Sequence, residues 1–233
     1  MSIGRPPVVN QTEWDAARTA LTVREESVAT AMNQLGAARR RMPMVRVEHE
    51  YRFEGSDGER SLLELFDGRD QLILYRFYFE DGVDGWPDAG CPGCSSWADG
   101  IPELGLLHAR DITFAMASPA PQANLRSYAE RMGWSDVPWY TIGTERFSPD
   151  FGVDEWFGLN IFLRDGDDVY RTYFLQHGPV EQIGSVWTMF ALTPYGGQSE
   201  DEDSPEGWPQ APSSFWHRRH DEFNDPPPSR RTT

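Results

Sequence analysis

Lysine is absent from this chain of 233 residues. All 21 basic residues are arginines, and against 37 acidic ones they leave a formal net charge of −16. Phosphate binding depends on basic neutralisation, so such a surface repels nucleic acid and anionic membranes, and neither is an expected partner. Long apolar runs are also missing. No segment approaches the roughly 18 apolar residues of a membrane span, and the best candidate, 72–79, is interrupted by Arg76. The opening MSIGRPPVVNQTEWD has no apolar stretch of signal-peptide type. The expectation is a soluble, cytoplasmic protein. Catalytic signatures are as sparse: there is no G-x-S-x-G serine elbow and no glycine-rich phosphate loop. Cysteine occurs twice, both in Cys91-Pro92-Gly93-Cys94. In a reducing compartment that pair reads as a cycling dithiol before a permanent disulfide.

What is present is aromatic. Nine Trp, eight Tyr and thirteen Phe within a 39% hydrophobic composition mark a globular chain with an aromatic core. The length suits one domain with extensions better than two full domains. Residues 12–41 read as one helix, with Thr12 as its cap and Pro43 as its stop. Trp14, Leu21, Val28 and Leu35 recur every seven residues beside Ala17, Ala31 and Ala38. This narrow stripe is read as laid on its own domain. The alternative is a homodimer formed through the N-terminal helix.

From Met44 the pattern becomes alternation. Val45, Val47, His49, Tyr51 and Phe53 fall on one side, which predicts a half-buried strand closed by the turn at 55–58. Ser61 to Glu64 is a capping box for a short helical turn ended by Gly68. The run QLILYRFYF, 71–79, has the continuous apolarity of a central strand covered on both faces. The stretch 95–108 is helical in composition but broken by Gly100, Pro102 and Gly105. Residues 111–117 form a second buried strand; a helix capped by Ser118 runs to Gly133, and 138–142 is a short strand. Segments 159–164 and 169–175 make a hairpin about Asp165-Gly166-Asp167-Asp168, and a helix over 180–190 closes the domain. The result is a three-layer α/β arrangement with a mixed sheet. Five acids within 200–206 mark a solvated linker, and FWHRRHDEF at 215–223 is expected to dock back on the domain. The divisions are 1–43, a helical arm; 44–195, the α/β domain; and 196–233, acidic linker and tail.

A C-x-x-C pair between a strand and a helix has a chemical purpose. Unpaired N–H groups at the helix start favour the thiolate of the first cysteine, so Cys91 is the expected nucleophile. Cys94, one turn on, is placed to resolve the mixed disulfide or sulfenic acid formed on Cys91. Glu80, Asp81, Asp84, Asp88 and Asp99 oppose that thiolate electrostatically. Arg76, at the end of the central strand, is the candidate counterweight and third catalytic residue; its other reading is an ion pair with a loop acid. The substrate expected is a small molecule or thiol, without cofactor or bound metal.

Together QLILYRFYF, GCPGCSSWAD at 90–99, LHARDITFAMASPAP at 107–121, RMGW at 131–134, IFLRDG at 161–166, LTPYG at 192–196 and the terminal WHRRHDEF carry a resemblance over nearly the whole chain. The sequence resembles a family of uncharacterised bacterial thioredoxin-like proteins, a domain-of-unknown-function family. The resemblance implies a thioredoxin- or peroxiredoxin-type fold with Cys91 and Cys94 at the redox positions, and it supplies no substrate. Thioredoxins carry a cis-proline opposite the cysteines, before the hairpin. Here that stretch reads Phe157-Gly158-Leu159-Asn160, which favours a small peroxide or disulfide over a protein disulfide. The Pro-Gly between the cysteines also reverses the usual order.

Two other readings compete. Cys91 and Cys94 with His217 and His220 have the ligand types of a zinc centre, although more than 120 residues separate the two pairs. The blander account pairs the His217 to Asp221 run with the acidic surface. His108 and His177 are read as surface or helix-end residues. The second rival is a binding module that keeps the fold without the chemistry.

Overall fold

The computed structural model describes residues 4–83, 86–153, 157–176, 183–212 and 218–223. Among these residues one eight-stranded mixed sheet runs in the order β1-β8-β7-β4-β5-β6-β2-β3. Its strands are β1 (Val45–Arg46), β2 (Arg52–Gly55), β3 (Gly58–Ser61), β4 (Gln71–Arg76), β5 (Ile112–Ser118), β6 (Trp139–Ile142), β7 (Gly158–Asp165) and β8 (Asp168–Gln176). The strand expected over 71–79 is central, as its apolarity predicts, but it ends at Arg76. It pairs in parallel with β5 on one side and antiparallel with β7 on the other. The hairpin of β7 and β8 turns at Asp165 to Asp168.

Helices cover both faces. On one lie α2 (Pro92–Ala98), α3 (Leu104–His108) and α4 (Gln122–Met132). They close a core of Tyr75, Phe77, Phe79, Phe114, Tyr128, Trp134 and Trp139 with Cys94. On the other lie a 3-10 turn (Glu64–Phe66) and α5 (Phe147–Asp150), over Phe53, Leu72, Leu74, Phe151 and Phe162. Each fully buried ring of this size contributes roughly 1.5–3 kcal/mol. The tightness of such packing explains the glycine before the cysteines, since a Cβ on Gly90 would lie 2.3 Å from the Phe77 ring. A cysteine pair at the end of a central strand, a helical return to a parallel neighbour and an antiparallel hairpin beyond make this a thioredoxin-like three-layer α/β fold. Last comes α6 (Ser185–Ala191), where the sequence predicts a helix over 180–190; Ile183 and Gly184 precede it outside the helix, with Gly184 as its N-cap, and residues 177–182, with His177, lie outside the described ones. Among the described residues no helix is long and apolar enough to cross a membrane.

Several local expectations are corrected. The alternation over 45–53 is two strands, not one. Val45 and Arg46 pair with β8, while Phe53 and Glu54 pair with β6, so the chain crosses between distant parts of the sheet. Alternation reports which side is buried, not which neighbour supplies the hydrogen bonds. The N-terminal helix, α1 (Gln11–Arg39), is capped by Asn10 rather than Thr12, through reciprocal bonds with Glu13. Ser118 belongs to β5, where its hydroxyl donates to the Phe77 carbonyl; α4 starts after Pro121. Most consequentially, α1 has no buried residue and is not laid on its own domain.

Candidate active site

The site begins where β4 ends. Cys91 caps α2, its N–H donating to the Tyr78 carbonyl at 2.9 Å, with Pro92 as the first helical residue. The helix docks through Trp97, whose ring lies 4.5 Å from Tyr75 and stacks on Phe114. Its first turn places Cys94 inside the core and leaves Cys91 half-buried; neither is in a disulfide.

Their environments push the two thiols apart. Cys91 is lowered to about 7, chiefly by a hydrogen bond from the Cys94 thiol and further by the N–H groups of Cys94 and Gly93 and the Arg219 charge; burial opposes this. Cys94 is raised well above an ordinary thiol by full burial and by Cys91 itself, against a weaker pull from the Tyr75 hydroxyl. One sulfur is therefore the thiolate and its neighbour the proton-bearing donor.

Arg76 is not the cation that faces Cys91. It is 1% exposed and holds Glu80 at 2.9 Å, the loop-acid pairing that was its other reading. Alternation decides its direction. Arg76 lies opposite Gly158, whose Cβ direction points at Val153 and Phe174, on the face away from Cys94. Tyr75, one residue earlier, takes the cysteine side.

Arg219 supplies the charge instead, and sequence reasoning missed it. The tail returns across α2, and Arg219 is 6% exposed. Its Nη2 donates to the Gly90 carbonyl at 2.7 Å, its Nε to the Tyr128 hydroxyl at 3.0 Å, and its Nη1 to Glu222 at 2.6 Å. The Tyr128 and Ser95 hydroxyls lie 2.8 Å apart, and Ser95 donates to the Cys91 carbonyl at 2.8 Å. A hydrogen-bonded chain thus runs from the guanidinium to the backbone of Cys91. Trp86 faces Arg219 at 5.7 Å and packs edge-on to Tyr78, giving the site an aromatic rim.

The rest of the tail is a latch. Arg131 holds Asp221 through two bonds of 2.7 and 3.1 Å. His220 Nδ1 lies 2.8 Å from Asp99, and the Ser96 hydroxyl is 3.0 Å from the Arg218 carbonyl. The run does bind an acid of the domain, through His220, but Asp221 takes a base. Of the acids set against the thiolate, Glu80 is held by Arg76, Asp81 accepts from Asn124, and Asp99 accepts from Trp134. Asp88 is exposed, and Asp84 lies outside the described residues, as does His217. Among the described residues no group of three or more His, Cys, Asp or Glu is arranged to hold a metal. The exposed His108 ends α3, a helix-end residue as expected.

A family model described as a bacterial protein of unknown function (DUF899) matches residues 3–223. No protein with a curated description matches the sequence. Among solved structures, the peroxidoxin BcpB of Mycobacterium tuberculosis is similar at 17% identity and a TM-score of 0.41, over 60% of this chain and 92% of that one. The pneumococcal exposed lipoprotein thioredoxin Etrx1, from Streptococcus pneumoniae strain TIGR4, is similar at 13% identity and a TM-score of 0.39, over 57% and 96% respectively.

Proposed function

The chain belongs to a bacterial family of unknown function, and from that premise we propose that it is a cytoplasmic thiol-dependent oxidoreductase that reduces a small disulfide or peroxide. The observation that carries this reading is the division of labour between the two sulfurs. Cys91 is half-buried with its pKa near 7, while Cys94 is buried and holds its proton.

With a disulfide, the Cys91 thiolate attacks one sulfur. A Cys91–S–S–R bond forms and the substrate S–S bond breaks, releasing a thiolate. Cys94 then attacks Cys91 Sγ as its proton passes to the departing sulfur, which leaves as the second thiol, and the Cys91–Cys94 disulfide remains. With a peroxide, attack on one oxygen breaks the O–O bond and releases an alcohol or water. The sulfenic acid left on Cys91 condenses with Cys94 and loses water. Either route passes two electrons to the substrate, and an external dithiol returns them. Arg219 stabilises the thiolate before attack. The rim of Tyr78 and Trp86, with Phe157 where a thioredoxin has proline, suits a small substrate better than an extended peptide.

The direct test is turnover of hydrogen peroxide and of a small aromatic disulfide with dithiothreitol as reductant. Cys91→Ser should abolish both. Unchanged turnover in that variant sinks the redox reading and leaves a binding module in its place.

A further inference from the structure

The face of α1 is the largest feature that the redox site does not use. Trp14 is 54% exposed, Leu21 49%, Val28 58% and Leu35 50%, and they form one stripe at seven-residue spacing. A helix of 29 residues is ~43 Å long at 1.5 Å per residue. Most helical stability in proteins comes from packing of an apolar face, which α1 lacks among the described residues. Among the described residues its last turns are the part that meets the domain: Gly36, Ala37 and Arg39 are partly covered, and the Arg39 guanidinium lies 5.0 Å from the Tyr173 ring.

We propose that α1 pairs antiparallel with α1 of a second copy, forming a two-fold dimer. The proposal does not depend on the redox reading. Two properties of the stripe select this occupant. The first is shape. Three residues after Trp14, Val28 and Leu35 stand Ala17, Ala31 and Ala38, all exposed. In an antiparallel pair centred on Glu26, Trp14 meets Ala38 of the other copy, Leu21 meets Ala31, and Leu35 meets Ala17. Large faces small in each of these three layers, so the backbones can approach closely there, and in the fourth Val28 meets the aliphatic stem of Arg24. The second is charge. The start of the helix carries Glu13 and Asp15, and the end carries Arg39, Arg40 and Arg41. Antiparallel pairing sets each acidic end against the partner's basic end, whereas parallel pairing stacks like charges and opposes Trp14 to Trp14. Four apolar heptad positions also meet the roughly three to four repeats that a coiled coil requires.

Sedimentation equilibrium of the full chain at micromolar concentration tests this. The expected species is a dimer of about 53 kDa, twice the 26.5 kDa chain. Leu21→Glu, on an exposed face of a helix outside the core, should give a folded monomer with an unchanged near-ultraviolet spectrum. Orientation is read in a Cys91→Ser, Cys94→Ser background. Ala17→Cys combined with Leu35→Cys should oxidise to a covalent dimer, and Leu21→Cys alone should not. A monomeric wild type, a dimer indifferent to Leu21→Glu, or cross-linking through Leu21→Cys alone each overturns the proposal.

Discussion

Arg219 donates a 2.7 Å hydrogen bond to the carbonyl of Gly90, 129 positions away in the chain. With a second bond from Nε at 3.2 Å, it joins the tail to the residue before Cys91. With the bond to Tyr128 it sets a buried positive charge beside Cys91, where the neighbouring sequence offers mostly acids. The neighbouring Cys94 thiol does most to hold the Cys91 pKa down, and the far end of the chain adds the charge that helps it.

Replacing this charge should move the thiol. In Arg219→Gln the pH midpoint for alkylation of Cys91 by iodoacetamide is expected to rise from near 7, by less than Cys94→Ser raises it, because the Arg219 charge is a smaller influence than the Cys94 thiol. The rate at high pH, where every thiol is ionised, should stay the same. A midpoint that does not move removes Arg219 from the account.

The two cysteines should separate by partial reaction. Wild-type reduced protein treated with an aromatic disulfide is expected to release both aromatic thiols from each reagent molecule, because Cys94 resolves the adduct. Cys94→Ser should release one and retain the other on Cys91, visible as added mass. It should also raise the Cys91 midpoint, since the thiol of Cys94 is the strongest influence holding it down. An adduct on neither residue would argue against Cys91 as attacker.

Stability should depend on pH through the same group. The folded Cys91 releases its proton near 7, and an unfolded cysteine near 8.5. Between those values the unfolded chain binds more protons, so stability rises with pH. The contribution is absent below about pH 7 and approaches roughly 2 kcal/mol near pH 8.5. Urea titrations of reduced wild type and Cys91→Ser at pH 6.5 and 8.5 test this. The gap should widen in favour of the wild type at the higher pH, and a constant gap contradicts the thiolate.

The latch should matter more to chemistry than to global stability. Arg131 and Asp221 are each more than a third exposed, so Arg131→Ala should cost under about 1 kcal/mol. It loosens the segment that carries Arg219. The Cys91 midpoint should shift upward by part of the Arg219→Gln effect, and amide exchange at 218–223 should quicken. Faster exchange with no change at Cys91 would mean that Arg219 is held without the latch.

The sequence by itself determined a central strand starting at 71, predicted three residues too long at its end, the hairpin about Gly166, the broken helix after the cysteines and the placing of the cysteine pair at a helix start. Each follows from local rules: continuous apolarity for a strand covered on both faces, turn residues between alternating runs, and helix-start geometry around Pro92. Which cation serves Cys91 was not local. Arg76 lies near the pair in sequence, but alternation along β4 sends it through the sheet to Glu80, and nothing in the sequence says on which face α2 will pack. Arg219 reaches the site only because the chain folds back over more than a hundred residues. The stripe on α1 was equally plain as a pattern. Whether it met its own domain or was left bare depended on where the domain's own helices already covered the sheet, and that is a property of the packed molecule.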